Sequence, residues 1–135
     1  NGISHLLHIR HGVNYDDLPV FYKLATAFVY PSRIEGFGIP MLEAITSGLP
    51  AIGCTGSCLE EAGGPTSLYV NPDDVEGMAD AIHSVYNDVT LRQNMIAQGK
   101  EYARRFDIAK LTSDLYEVYK TVCGSHRGVG PNSLL

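Results

Sequence analysis

A chain of 135 residues that is 44% apolar and 19% charged fits one globular domain and leaves little room for a second. Its net charge of −5 is unevenly placed: residues 1–87 carry three basic side chains against ten acidic ones, and residues 88–135 carry seven against five. A nucleic-acid binder wants a basic stripe, so this distribution argues against that class, and no apolar run approaches the roughly 20 residues of a membrane span.

The chain opens on Asn1-Gly2-Ile3-Ser4, without Met and without the basic and apolar regions of a signal peptide, so a piece of a longer protein is expected. Residues 5–11 read as a strand ending at Gly12. Residues 16–25 follow as a short helix with Leu18, Phe21, Tyr22 and Ala25 on one side. Ala27-Phe28-Val29-Tyr30 is apolar without alternation, as a parallel strand covered on both faces is, and Pro31 ends it. A loop with Gly36 and Gly38 leads into a helix from about Pro40 that Gly48 terminates. Residues 51–53 and 67–70 read as two further strands.

From there the chain turns helical. Asn71-Pro72-Asp73-Asp74 offers capping groups to a helix striped by Val75, Met78, Ala79, Ile82, Val85 and Tyr86. Leu91, Met95, Ile96 and Ala103 mark another helix, which Gly99 weakens. Ile108, Leu111, Leu115, Val118, Tyr119 and Val122 mark the last, and these stripes read as core. The domain is therefore placed at residues 1–122, with 123–135 as a flexible tail. Strands alternating with helices predict an α/β fold, a doubly wound parallel sheet of about four strands flanked by helices. Four strands are few for such a sheet, a second sign that its front is missing.

Three cysteines, Cys54, Cys58 and Cys123, make no disulfide framework, and no histidine stands at a zinc-ligand spacing beside them. Free thiols in a reducing cytosol are expected. His5, His8 and His11 are three apart, which would suit a helical metal face, but Leu6, Leu7 and Ile9 between them favour the strand. His83 and His126 stand apart from any ligand pattern, so no metal site is expected.

The chemistry concentrates in residues 31–43. This segment leaves the carboxyl end of a buried strand and enters a helix, the rim at which open α/β sheets bind ligands. Gly36 and Gly38 allow close backbone approach, Pro40 suits the first helical turn, and the free N–H groups of that turn favour an anion such as phosphate. Arg33 is the one cation nearby. Glu35 and Glu43 bracket the loop and both can face one cleft; as acceptors they suit the vicinal hydroxyls of a ribose or hexose. The plain alternatives are that Glu43 complements the helix dipole and Glu35 is a solvated loop residue. Thr55, Gly56 and Ser57 sit at the same rim, Glu60 and Glu61 read as caps, and Tyr15 and Tyr22 read as packing residues.

Glu35-Gly36-Phe37-Gly38-Ile39-Pro40-Met41-Leu42-Glu43 resembles the Glu-(seven residues)-Glu signature of the family 4 retaining glycosyltransferases, which have the GT-B fold. Asp17-Leu18-Pro19-Val20-Phe21-Tyr22 is similar to the short helix before that family's donor strand. Ala44-Ile45-Thr46-Ser47-Gly48-Leu49-Pro50-Ala51-Ile52 is similar to its helix end and following strand. Leu59-Glu60-Glu61-Ala62-Gly63 and Val70-Asn71-Pro72-Asp73 resemble later landmarks, so the likeness runs from about residue 3 to 122.

The resemblance implies a Rossmann-like donor domain, the C-terminal of two, in an enzyme that transfers a hexosyl group with retention from a nucleotide-diphosphate sugar such as GDP-mannose or UDP-glucose. It implies that Glu35 is the catalytic-site carboxylate on the transferred sugar and that Glu43 meets the ribose. The backbone at Gly36, Phe37, Gly38 and Ile39 would line sugar and diphosphate, and Arg10 and Gly12, in the stretch ending at Val13, would lie near the base. No cofactor or metal beyond the substrate is implied. The acceptor, a glycan or lipid-linked molecule, would bind a missing N-terminal domain, in a cytoplasmic protein peripheral to the membrane. That family's basic diphosphate residues and catalytic-site histidine lie upstream of this chain, so the piece alone is expected to be inactive, and there is one residue more than the pattern wants between Glu60 and Leu68. The alternative is a non-catalytic nucleotide-binding α/β module or a degenerate transferase domain.

Overall fold

The computed structural model describes residues 2–125. Over them, three strands, β1 (Phe28–Tyr30), β2 (Ala51–Cys54) and β3 (Leu68–Val70), form one parallel sheet in the order β1-β2-β3. Helix α2 (Ile39–Thr46) joins the first two strands and α3 (Leu59–Gly63) joins the second two, since parallel neighbours need a crossover rather than a hairpin. Helix α1 (Leu18–Leu24) precedes the sheet; α4 (Val75–Asn87), α5 (Val89–Ala103) and α6 (Ile108–Ser125) follow it.

The pairing register explains the unalternated strand sequences. Val29 lies opposite Ile52 and Ile52 opposite Leu68, so these three share a face. They pack with Val85 of α4 and Met95 of α5. The other side of the sheet meets α2 and α3 through Met41, Ala44, Ile45, Leu59 and Ala62. With both faces covered, the central strand β2 is buried at every position, and only apolar or small residues are tolerated there.

Helix ends follow their local chemistry. Helix α2 closes with Gly48 at φ 79°; the Gly48 N–H donates to the Ile45 carbonyl at 3.1 Å, and the Leu49 N–H to that of Ala44 at 2.9 Å. This is the paired 5→2 and 6→1 closure that a left-handed residue after the helix permits. The Asp74 carboxylate caps α4 by accepting from the Gly77 N–H at 2.8 Å. Gly99, expected to weaken its helix, is instead buried where α5 crosses α2: a Cβ there would lie 3.4 Å from the Ile45 Cβ. The small residue sets how closely the two helices approach.

Three sequence expectations fail. Residues 5–11 are not the fourth strand: Ser4–Leu6 is a 3-10 turn, residues 7–10 have no regular structure, and Ile9 is 77% exposed. An extended segment becomes a strand only beside a partner that takes up its N–H and C=O groups, and among the described residues none pairs with it. The helix expected from residue 16 starts as a 3-10 turn, Tyr15–Asp17, and becomes α-helical at Leu18. Its buried side is narrower than expected, because Phe21 and Ala25 face solvent while Leu18 and Tyr22 are half-buried.

The late stripes are the third correction. On α4 the line that packs is Met78, Ala81 and Val85, while Val75 and Tyr86 are exposed. On α6 the whole expected stripe is exposed, Ile108 at 82%, and the substantial contact of this helix among the described residues is with the 3-10 turn Arg104–Phe106. Periodicity makes a helix amphipathic, but burial requires a surface to lie against. Cys123 continues α6 rather than starting a tail; residues 126–135 of the expected tail, with His126, lie outside the described residues.

Tyr69 on β3 locks the α3 end. Its hydroxyl donates to the Gly64 carbonyl at 2.8 Å and lies near the Leu59 carbonyl at 3.3 Å. Burial pushes this phenol up to about 12 from 10.0. A folded-state pKa above the unfolded one contributes stability that is complete below about pH 10 and is lost as pH rises toward 12. Urea midpoints are therefore expected to fall between about pH 9 and pH 12, and to fall less in Tyr69→Phe. An equal fall in both proteins would remove Tyr69 as the cause.

Candidate functional site

The loop between β1 and α2 emerges at the carboxyl edge of the sheet, where the strand hands the chain to a helix. Gly38 is the N-cap residue of α2, at φ 93° and ψ 44°, and is buried against Leu59 and Ala62. Pro40 sits in the first turn. The Met41 N–H is taken by the Gly38 carbonyl at 2.9 Å, while none of the turn and cap hydrogen bonds among the described residues uses the N–H of Phe37, Gly38 or Ile39. Those donors are what a ligand anion at a helix start would use.

Each glutamate is held by tyrosine. The Tyr30 hydroxyl donates to Glu35 Oε1 at 2.7 Å, and hydrogen bonds from Ser32 and then Tyr30 hold the Glu35 carboxyl below its usual range. The backbone of the same residue is tied as well, its carbonyl accepting from Cys58 Sγ at 3.1 Å. Glu43 accepts twice: from Tyr15 at 2.9 Å on Oε1 and from Tyr22 at 3.1 Å on Oε2. Burial first, and then the hydrogen bond to Glu43, pushes the Tyr22 phenol up to about 12.

The two carboxylates are the ends of one aromatic row. Tyr22 meets Phe28 edge-on with ring centres 5.6 Å apart, and Phe28 stacks on Tyr30 at 5.6 Å. Phe28 and Tyr30 share a strand face because side chains alternate along β1. A pocket of about 290 Å³ opens at the Glu43 end, lined by Tyr15, Leu18, Pro19, Tyr22, Leu42, Glu43, Thr46 and Ser47. Glu35 is not among its lining residues, so the two glutamates flank the aromatic row rather than share that one cavity. Glu43 also lies beyond the first turn of α2, which removes the dipole-complement account of it.

The remaining predicted positions are dispersed. Gly36 and Ile39 are exposed on the rim. Phe37 turns its ring inward onto Phe106, centres 5.6 Å apart, leaving its backbone to the rim. Arg10 and Gly12 lie in the exposed stretch before Tyr15 and do not line the Glu43 pocket. Arg33, the cation available for phosphate in the sequence, pairs instead with Asp73 at 2.6 Å on the surface. Ser57 accepts from the Leu59 N–H at 3.3 Å at the start of α3. Glu60 and Glu61 lie in that helix's first turn, but its N-cap is Cys58, whose side chain makes no cap hydrogen bond, so the two glutamates are not the caps expected. Among the described residues no group of three or more His, Cys, Asp or Glu side chains could hold a metal, and no helix is long and apolar enough to cross a membrane. Sequence reading missed the tyrosines as carboxylate partners; the period-2 placement of Phe28 and Tyr30 was the signal available.

A parallel sheet covered on both faces, with a carboxylate-bearing loop at its carboxyl rim, defines a Rossmann-like α/β domain of the kind found in GT-B enzymes. Residues 2–102 match the family model described as Glycosyl transferases group 1. The chain belongs to that family. It is 35% identical over 105 residues to O-antigen chain mannosyltransferase B of Escherichia coli, covering 78% of this chain and 28% of that protein. It is 36% identical over 97 residues to O-antigen chain mannosyltransferase RfbU of Salmonella typhimurium, covering 72% and 26%. Against the phosphatidyl-myo-inositol mannosyltransferase of Mycolicibacterium smegmatis it is 28% identical over 123 residues, covering 87% and 32%. The chain thus spans about a quarter to a third of the length of these curated relatives.

Proposed function

We propose that this chain is the donor-binding part of a retaining hexosyltransferase that takes a nucleotide-diphosphate sugar, GDP-mannose or UDP-glucose, and passes its sugar to a glycan or lipid-linked acceptor. The acceptor is held by a further domain outside this chain, and the relatives named as mannosyltransferases favour mannose. Glu43 takes the ribose hydroxyls and Glu35 those of the transferred sugar. The diphosphate lies against the N–H groups of Phe37, Gly38 and Ile39, and Arg10 and Gly12 flank the base. Transfer with retention runs by a front-face route through an oxocarbenium-like state, with the acceptor supplied from the opposite side of the cleft.

The observation that carries this reading is the pair of tyrosine-held carboxylates at the carboxyl rim, joined by Tyr22, Phe28 and Tyr30. Such oxygens are acceptor-only and suit a polyol. A degenerate domain that binds nucleotide without catalysis would keep the Glu43 end and lose the Glu35 end, and here both glutamates are in place and hydrogen-bonded. The test is a backbone-amide NMR titration with GDP, UDP and their sugar conjugates. Shifts are expected at Gly38, Ile39 and Glu43 with one nucleotide, joined by Gly36 when the sugar is attached. No shift with any of the four ligands would overturn the proposal.

A further inference from the structure

Glu43 alone is a flexible carboxylate on the side of a helix, free to explore rotamers that ordering on a ligand would have to freeze. In this fold it is not free. The Tyr22 hydroxyl reaches Oε2 at 3.1 Å from α1, across 21 residues of sequence. The Tyr22 ring is itself fixed edge-on against Phe28, which stacks on Tyr30 of the same strand. Tyr15 reaches the other oxygen at 2.9 Å, but from a 3-10 turn and at 70% exposure. Tyr22 is half-buried and anchored to the sheet, so it is the member that sets the direction of the carboxylate.

We infer that Tyr22 is a positioning residue, which orients Glu43 toward the 290 Å³ pocket so that its remaining lone pairs meet a vicinal diol of the nucleoside. This rests on the donor reading above. Each carboxylate oxygen accepts two hydrogen bonds. One lone pair of each is spent on a tyrosine, which leaves one on each oxygen for two hydroxyl donors. Tyr22 lines the same pocket, and in this role it acts through Glu43 by sparing the cost of ordering that side chain.

The test titrates GDP and UDP by calorimetry into the full chain as wild type, Tyr22→Phe, Glu43→Gln and the double variant. Tyr22→Phe is expected to weaken the preferred nucleotide roughly three- to tenfold, the ordering cost of about one long side chain. In the Glu43→Gln background the same change is expected to cause no further loss. An equal loss in both backgrounds, which a merely structural role would give, overturns the inference, as does unchanged affinity in Tyr22→Phe. Carbon-13 NMR of the tyrosine rings supplies a readout without ligand: Tyr22 is expected to titrate near 12 and to move down in Glu43→Gln. An unmoved Tyr22 overturns the contact itself. A wild-type chain that binds neither nucleotide would overturn the donor reading and this inference with it. Binding that ignores Tyr22 overturns the inference alone.

Discussion

Replacing Gly38 with alanine is expected to destabilise the fold by about 2–5 kcal/mol. Two separate penalties meet at this residue. At φ 93° the backbone lies in the left-handed region, which costs an L-residue with a Cβ roughly 1–2 kcal/mol. A Cβ there would also stand 2.6 Å from Leu59 Cδ2. Leu59 is fully buried, so it has nowhere to swing, and overpacking of this kind costs about 1–3 kcal/mol. Gly36, two residues earlier on the same loop, is the control. Nothing lies within 4 Å of its added Cβ, and Gly36→Ala is expected to stay within about 0.5 kcal/mol of wild type. Urea unfolding of the two variants checks the contrast. Equal midpoints would mean that the N-cap of α2 is not held as described.

The second large effect separates the two glutamates. Glu43→Ala is expected to weaken GDP or UDP binding by about 1.5–3 kcal/mol, the worth of a charged hydrogen-bond acceptor, which is roughly a 10- to 150-fold rise in Kd. Glu35→Ala is expected to leave the bare nucleotide unaffected and to remove the additional affinity of the sugar conjugate. The geometry motivates the division, since Glu43 lines the pocket and Glu35 stands at the far end of the aromatic row beside Tyr30. Calorimetric titration of each variant with a nucleoside diphosphate and with its sugar conjugate reads both effects. Loss of nucleotide affinity in Glu35→Ala, with none in Glu43→Ala, would reverse the assignment.

Much of this was legible in the residues. The unalternated runs at Phe28-Val29-Tyr30 and Ala51-Ile52 became the parallel strands they predict, β2 buried throughout and β1 half-buried, because a strand covered on both faces has no solvent side to mark with polar residues. Pro40 opened α2 and Gly48 closed it, because each acts through its own backbone torsions. The Glu35–Glu43 spacing placed one carboxylate on the loop and the other in the helix for the same reason. The tyrosine partners of Glu43 were not legible. Tyr15 and Tyr22 reach Glu43 across 28 and 21 residues, and nothing in the local pattern distinguishes a tyrosine that packs from one that also donates.

What the sequence by itself determined is the set of properties that depend on a residue and its near neighbours: which segments are helical, where they are capped, and which loop carries the carboxylates. Tertiary structure decided what each face lies against. Residues 7–10 carry the composition of a strand and form none, because a ladder is made by two segments and none of the described strands pairs with this one. The stripe of α6 is as regular as that of α4, yet it faces solvent where Val85 of α4 reaches the sheet. Gly99 reads as a weak point in one helix and serves as the close contact between two. Helical periodicity is set every few residues along the chain, whereas burial and the orientation of a carboxylate are set by groups that only the folded chain brings together.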